Sequence, residues 1–137
     1  MIVADVNLVA YLLIPGERTD QSRAILQQDA EWSFPYLWRS EFRNILAMNI
    51  QHRGMSVSDA GLIWDSAASL ARRHEYAVDP QAILHLVATR PLTAYDAEYV
   101  ALAEHLRVPL VTFDQKLQAA APETAISSGE FLSVRGR

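Results

Sequence analysis

The sequence predicts an α/β fold: one three-layer domain in which a mostly parallel sheet of four to five short strands is flanked by helices. Two observations carry the prediction. Short apolar segments of strand length alternate with amphipathic segments of helical period from one end of the chain to the other. The 137 residues also suffice for one compact core and leave no room for a second domain.

Met1 to Ala4 is a short apolar start, and Asn7 to Ile14 reads as a helix closed by Pro15-Gly16. A second helix opens near Thr19 or Asp20, with Ala24, Ile25 and Leu26 on its apolar side. Trp32 to Phe34 predicts a brief strand ended by Pro35, and Leu37 to about Gln51 is helical again, stopping near Gly54. The next helix runs from about Ser58 to Arg73 on a stripe of Leu62, Ile63, Ala67 and Leu70. Tyr76 to Val78 predicts a strand, and Asp79-Pro80 then caps a helix reaching about Thr89. Thr93 opens a helix to about Leu106, Leu110 to Phe113 is the clearest buried strand, and Ala125 to Ser127 is a weaker last one. The domain is expected to span residues 1–134, with 135–137 as a frayed tail.

Composition narrows the chemistry. Half of the residues are hydrophobic and there is no cysteine, which excludes disulfides, zinc–thiolate centres and a thiol nucleophile. The longest apolar run, Leu8 to Ile14, is too short for a bilayer, and no leader pattern precedes it, so a cytoplasmic protein is expected. The formal charge of −4 argues against binding nucleic acid through a basic surface. Two divalent cations held by carboxylates would cancel that charge where a phosphate docks.

Four acids are placed for such a role. Asp5 follows the first strand and Asp114 the strongest one, and ligands of parallel α/β sheets bind beyond the carboxyl ends of strands. Asp96 lies in the first turn of the helix opened by Thr93, whose N-terminus faces the same edge. Singly, each has a plainer explanation: Asp5 as a helix N-cap, Asp96 as half of a capping box with Thr93, Asp114 as a turn or cap residue. Glu41 is different. Its neighbours at helical spacing are Leu37, Trp38, Asn44 and Ile45, so it sits on an apolar face, where an unpaired charge is expensive and either an arginine or a metal must answer it. Like charges at about 4 Å cost on the order of 4 kcal/mol at an effective dielectric of about 20, so four converging carboxylates need cations. An all-oxygen set selects Mg²⁺ or Mn²⁺ over zinc. Arg39, Arg43 and Lys116 flank these acids and are candidate phosphate contacts, although solvated charges or intrachain ion pairs explain each as well. The tryptophans Trp38 and Trp64 are expected in the core, and His52, His74, His85 and His105, scattered singly, have surface or packing roles.

These pieces resemble a family. Ile2-Val3-Ala4-Asp5-Val6-Asn7, Ser40-Glu41-Phe42-Arg43-Asn44, Leu92-Thr93-Ala94-Tyr95-Asp96-Ala97-Glu98-Tyr99-Val100-Ala101-Leu102-Ala103 and Pro109-Leu110-Val111-Thr112-Phe113-Asp114 resemble the PIN-domain nucleases, and more narrowly the toxins of VapBC-type toxin–antitoxin pairs. The resemblance covers nearly the whole chain. It implies a PIN-like fold, with Asp5, Glu41, Asp96 and Asp114 binding one or two Mg²⁺ or Mn²⁺ ions, and Asn7 and Thr112 orienting carboxylates or water. It also implies RNA as substrate (often transfer or ribosomal RNA), an antitoxin that packs an amphipathic segment on the toxin, and a homodimer. The family often carries a further acid just after the one matching Asp114; here Gln115 and Lys116 follow instead, which leaves one-metal chemistry open.

Two rival functions remain at this stage. A haloacid-dehalogenase-type phosphatase would also place an acid after its first strand, but needs a second acid two residues later, where Asn7 stands. A PIN domain without nuclease activity would bind RNA or protein through the same fold.

Overall fold

The computed structural model describes residues 1–135. Its five strands are β1 (Ile2–Ala4), β2 (Trp32–Pro35), β3 (Glu75–Tyr76), β4 (Leu110–Thr112) and β5 (Ala125–Ser127). They form one sheet in the order β3-β2-β1-β4-β5, and every pairing is parallel. The first pair of neighbours is set by Val3 against Ser33 on one side and against Leu110 on the other. All residues of β1, β2 and β4 are buried, the expected state of parallel strands covered by helices on both faces.

Four helices lie between β1 and β3: α1 (Val6–Leu13), α2 (Thr19–Gln28), α3 (Trp38–Arg53) and α4 (Val57–Ala71). Right-handed crossovers put them on one face as the chain steps outwards from β1 to β3, and α1 packs on α2, α3 and α4. The chain then turns back. The pair α5 (Pro80–Thr89) and α6 (Ala94–Leu106), packed on each other, and then α7 (Gln115–Ala120) cover the opposite face, while α8 (Ser128–Arg135) returns to pack on α2. The reversal occurs between β1 and β4, so the crevice at their carboxyl ends is the topological switch point of the sheet.

Local chemistry explains the element boundaries. Ser56 accepts the N–H of Asp59 at the start of α4, Asp79 that of Gln81 before α5, and Thr93 that of Asp96 before α6. Gly54 ends α3 in the left-handed conformation, at φ 72°. The core is aromatic beside β2: Phe34, Trp38 and Phe42 pack in sequence, and Trp64 stacks on Trp38 at 5.3 Å between ring centroids. Trp38 is buried and Trp64 partly so.

The α/β class and the parallel sheet are as the sequence predicts. Three details differ. Helices α7 and α8 were not predicted, and the third strand is Glu75–Tyr76 rather than Tyr76–Val78, because Phe34 and Pro35 fix its register. Of the expected frayed tail, Arg135 ends α8 and residues 136–137 lie outside the described residues. No helix among the described residues is long and apolar enough to cross a membrane.

Candidate active site

Asp5 occupies the N-cap position of α1, yet its side chain makes no capping bond. It turns to the neighbouring strand instead, where the Thr112 hydroxyl donates to Asp5 Oδ2 at 2.7 Å. The same hydroxyl accepts the backbone N–H of Asp114 at 3.0 Å. Thr112 thereby ties together the two acids that follow β1 and β4, and it is fully buried. Asp114 does cap its helix: Oδ1 accepts the N–H groups of Lys116 and Leu117.

Glu41 is half-buried on α3, and no arginine or lysine among the described residues pairs with it. Its partner is Tyr99 of α6, whose buried hydroxyl donates to Glu41 Oε1 at 2.7 Å. Asp96 stands one turn before Tyr99 on α6, with its N–H held by Thr93. The four predicted acids therefore come from four separate elements and meet at the carboxyl edge of the sheet, close enough that their charges act on one another.

That mutual effect is visible in the acidities of Asp5, Glu41 and Asp96. Burial raises the pKa of Asp5 above the ordinary range; the Thr112 hydrogen bond opposes the rise, and the charges of Asp96 and Asp114 add to it. Glu41 is raised by burial, drawn back by Tyr99, and raised further by Asp5, Asp96 and Glu98. Asp96 is raised by burial and then by Asp114, with the Thr93 hydroxyl opposing. The Tyr99 phenol is pushed far up by its own burial and by Glu41 beside it, so it remains a hydrogen-bond donor at any ordinary pH. This is a cluster of carboxylates in which no ion pair among the described residues answers Asp5, Glu41 or Asp96.

An ion is the natural complement to such a cluster. The donors are all oxygen, which suits a hard divalent cation, and desolvation plus like charge is what a bound ion would relieve. As placed, no three His, Asp or Glu side chains among the described residues close on one point as an ion's cage would require. The fold brings the acids into one another's electrostatic field.

The other predicted residues divide. Thr112 orients a carboxylate. Asn7 is exposed, lines the groove between α1 and α3, and makes no side-chain hydrogen bond among the described residues. Arg39 takes the alternative given for it, an intrachain ion pair: its guanidinium clasps Glu75 of β3 through Nε at 2.6 Å and Nη2 at 2.8 Å. Arg43 is also turned elsewhere, over the Trp64 ring at 5.3 Å and towards Ser40. Lys116 is exposed beside Asp114, without an ion pair among the described residues. Sequence reasoning missed Tyr99 and Glu98. The spacing of Tyr99, three residues after Asp96 on one helix face, was the available signal.

The groove between α1 and α3, about 720 Å³, begins at Asn7 and Asn44 beside the acids. Its wall carries Ile14, Ile45 and Met48, and its rim Arg18 and Arg53. Arg18 is braced over the rings of Tyr11 and Phe113, at 5.2 and 4.8 Å from their centroids.

Known proteins bear on this arrangement. No family model matches the chain. Ribonuclease VapC3 of Pyrobaculum aerophilum is 30% identical over 126 residues, an alignment taking in 88% of this chain and 95% of that protein. Among solved structures, PAE2754 from Pyrobaculum aerophilum superposes with a TM-score of 0.75 at 20% identity, over 98% of this chain and 88% of that one. FitAcB from Neisseria gonorrhoeae gives 0.72 at 16% identity, over 94% and 99%. A toxin–antitoxin complex from Klebsiella pneumoniae gives 0.68 at 15% identity, over 93% and 98%. At such identities the three superpositions establish the fold alone.

Proposed function

Because the chain belongs to the VapC ribonucleases, a PIN-domain family, we propose that it is a Mg²⁺- or Mn²⁺-dependent endoribonuclease and the toxin of a toxin–antitoxin pair. The observation that carries this reading is that Asp5, Glu41, Asp96 and Asp114 come to the switch point of the sheet within reach of one another's charges, with Asp5, Glu41 and Asp96 raised in pKa by burial and by acidic neighbours. These four are the proposed metal ligands. When bound, the ion supplies a water of lowered pKa and a positive charge for the leaving oxygen of a phosphodiester. The chain's own residues supply the geometry. Thr112 holds Asp5 against β4 and spaces it from Asp114. The exposed Lys116 is the remaining cation of the three considered for the substrate's phosphates, since Arg39 and Arg43 are engaged elsewhere. No Ser-His-Asp or Cys-His arrangement is recognisable in the sequence, and hydrolysis proceeds without a covalent enzyme intermediate in this reading.

The partner follows from the groove. An amphipathic antitoxin segment would lay its apolar face on Ile14, Ile45 and Met48 and its acidic groups against Arg18 and Arg53, ending beside the acids. A solved structure of the same fold described as a toxin–antitoxin complex supports such a partner. A homodimer is part of the same proposal; the exposed Leu84 and Val87 of α5 and Tyr95 of α6 are apolar surface of the kind such contacts cover. The RNA, with transfer and ribosomal RNA as candidates, is met in the cytoplasm.

The test is RNA cleavage against added Mg²⁺ or Mn²⁺ for the wild type, Asp5→Asn and Asp96→Asn. The wild type should cleave only with metal, and each variant should lose at least about a hundredfold, since even partners of metal ligands cost 10–100-fold. Equal cleavage by all three proteins would end the assignment.

A further inference from the structure

Beyond the four acids, one hydrogen bond at the edge has no counterpart in the expected ligand set. Tyr99 Oη donates to Glu41 Oε1 at 2.7 Å across 58 residues of sequence. The tyrosine is 2% exposed, and a buried donor that lost its acceptor would be left unsatisfied. Tyr99 also shares a helix face with Asp96, three residues earlier. Helix α3 packs on α1 and α4, and the Tyr99–Glu41 bond is what fastens its carboxylate to α6. One helix therefore delivers an acid of its own and grips the acid of another.

We propose that Tyr99 is the positioning residue of the site: its phenol fixes the rotamer of Glu41 by occupying Oε1 and leaves Oε2 as the oxygen offered to a divalent ion. The inference rests on the metal-binding reading of the edge. Two physical points make the assignment specific. A glutamate left free samples several rotamers and loses that freedom when an ion orders it; Tyr99 has this ordering done before an ion arrives. A neutral donor also orients a carboxylate without discharging it, whereas an arginine in the same place would compete with the ion for it.

The experiment is direct titration of the metal-free protein with Mn²⁺ alone, following free Mn²⁺ by its electron paramagnetic resonance signal, with thermal unfolding as the control. Four proteins are compared: wild type, Tyr99→Phe, Glu41→Gln and the double variant. Phenylalanine keeps the buried ring and removes only the hydroxyl. The expected result is a dissociation constant raised about 10- to 100-fold by Tyr99→Phe, and no further rise when the same change is made in Glu41→Gln, because the tyrosine acts through that carboxylate. An unchanged constant in Tyr99→Phe overturns the proposal. So does an equal rise with and without the Glu41 carboxylate, which would mean a general packing effect. If the wild type itself takes up no Mn²⁺, the metal reading of the whole edge falls and this inference falls with it.

Discussion

Glu41 on helix α3 and Glu75 on strand β3 are both partly buried glutamates, and each accepts a hydrogen bond of 2.7 Å from a buried aromatic side chain. Tyr99 serves Glu41, and the Trp38 indole serves Glu75. Their charges are answered in opposite ways. Glu75 is clasped by Arg39, which holds its pKa below the ordinary value against the opposing effect of burial, with Trp38 assisting. Glu41 has only neutral help, faces Asp5, Asp96 and Glu98, and is held above its ordinary value by burial and by those charges. The first arrangement is finished within the chain: it pins the start of α3 to the edge strand β3. The second is left open to something the chain does not supply. A buried acid with its own arginine reports structure, and one surrounded by other acids reports a site.

The widest break in that comparison is expected in activity. Glu41→Gln should lower metal-dependent RNA cleavage by at least about a hundredfold, while its folding is unharmed or slightly improved, since a repelled charge is removed. Glu75→Gln keeps an acceptor for Trp38 and lies outside the acid cluster, so cleavage should stay within a few-fold of wild type. Side-by-side cleavage assays at saturating Mn²⁺ decide it; comparable losses in both variants would erase the distinction between a finished and an open carboxylate.

How much of this was legible in the sequence depends on how local each cause is. The acids could be read because a general rule of parallel sheets sends residues after β1 and β4, and at the start of α6, to one edge. Glu41 stood out because its helical neighbours are apolar. Tyr99 did not, since a tyrosine among Val100, Leu102 and Ala103 has the pattern of a core residue, and only the packing of α6 reveals what its hydroxyl meets. The partner of Arg39 was hidden for the same reason: Glu75 lies 36 residues away, on a two-residue strand that pairs with β2. Helix α7 has six residues, with Leu117 as its one buried side chain, and α8 has no clear apolar stripe in its sequence; neither carries the periodicity by which the longer helices were recognised.

Stability should sharpen the comparison from the other side. Glu75→Ala strips the buried Trp38 indole of its acceptor, and an orphaned buried donor costs about 1–3 kcal/mol. Chemical denaturation should show that loss, and Glu75→Gln should recover most of it because the amide oxygen still accepts. If the alanine variant is as stable as the wild type, the clasp at β3 is ornamental and the first turn of α3 is held by its aromatic packing alone.

The smallest effect expected is also the one that separates the two kinds of acid by sign. Asp5, Glu41 and Asp96 have pKa values raised in the fold, so the native state binds more protons than the unfolded chain just above the ordinary carboxylate range. Their contribution to stability is complete below that range and is lost as pH rises through the raised values. Glu75, with its pKa lowered, contributes above the ordinary range and loses its contribution as pH falls through its lowered value. The windows do not overlap. In the metal-free protein the melting temperature should therefore fall by a few degrees between about pH 4.5 and neutrality, a slope that Asp5→Asn flattens and Glu75→Gln leaves alone. Saturating Mn²⁺ should reverse the slope, because an ion competes with protons for the same oxygens and is bound best when they are charged. A melting temperature that instead climbs towards neutral pH without metal would mean that the acids at the sheet edge are already compensated, as Glu75 is.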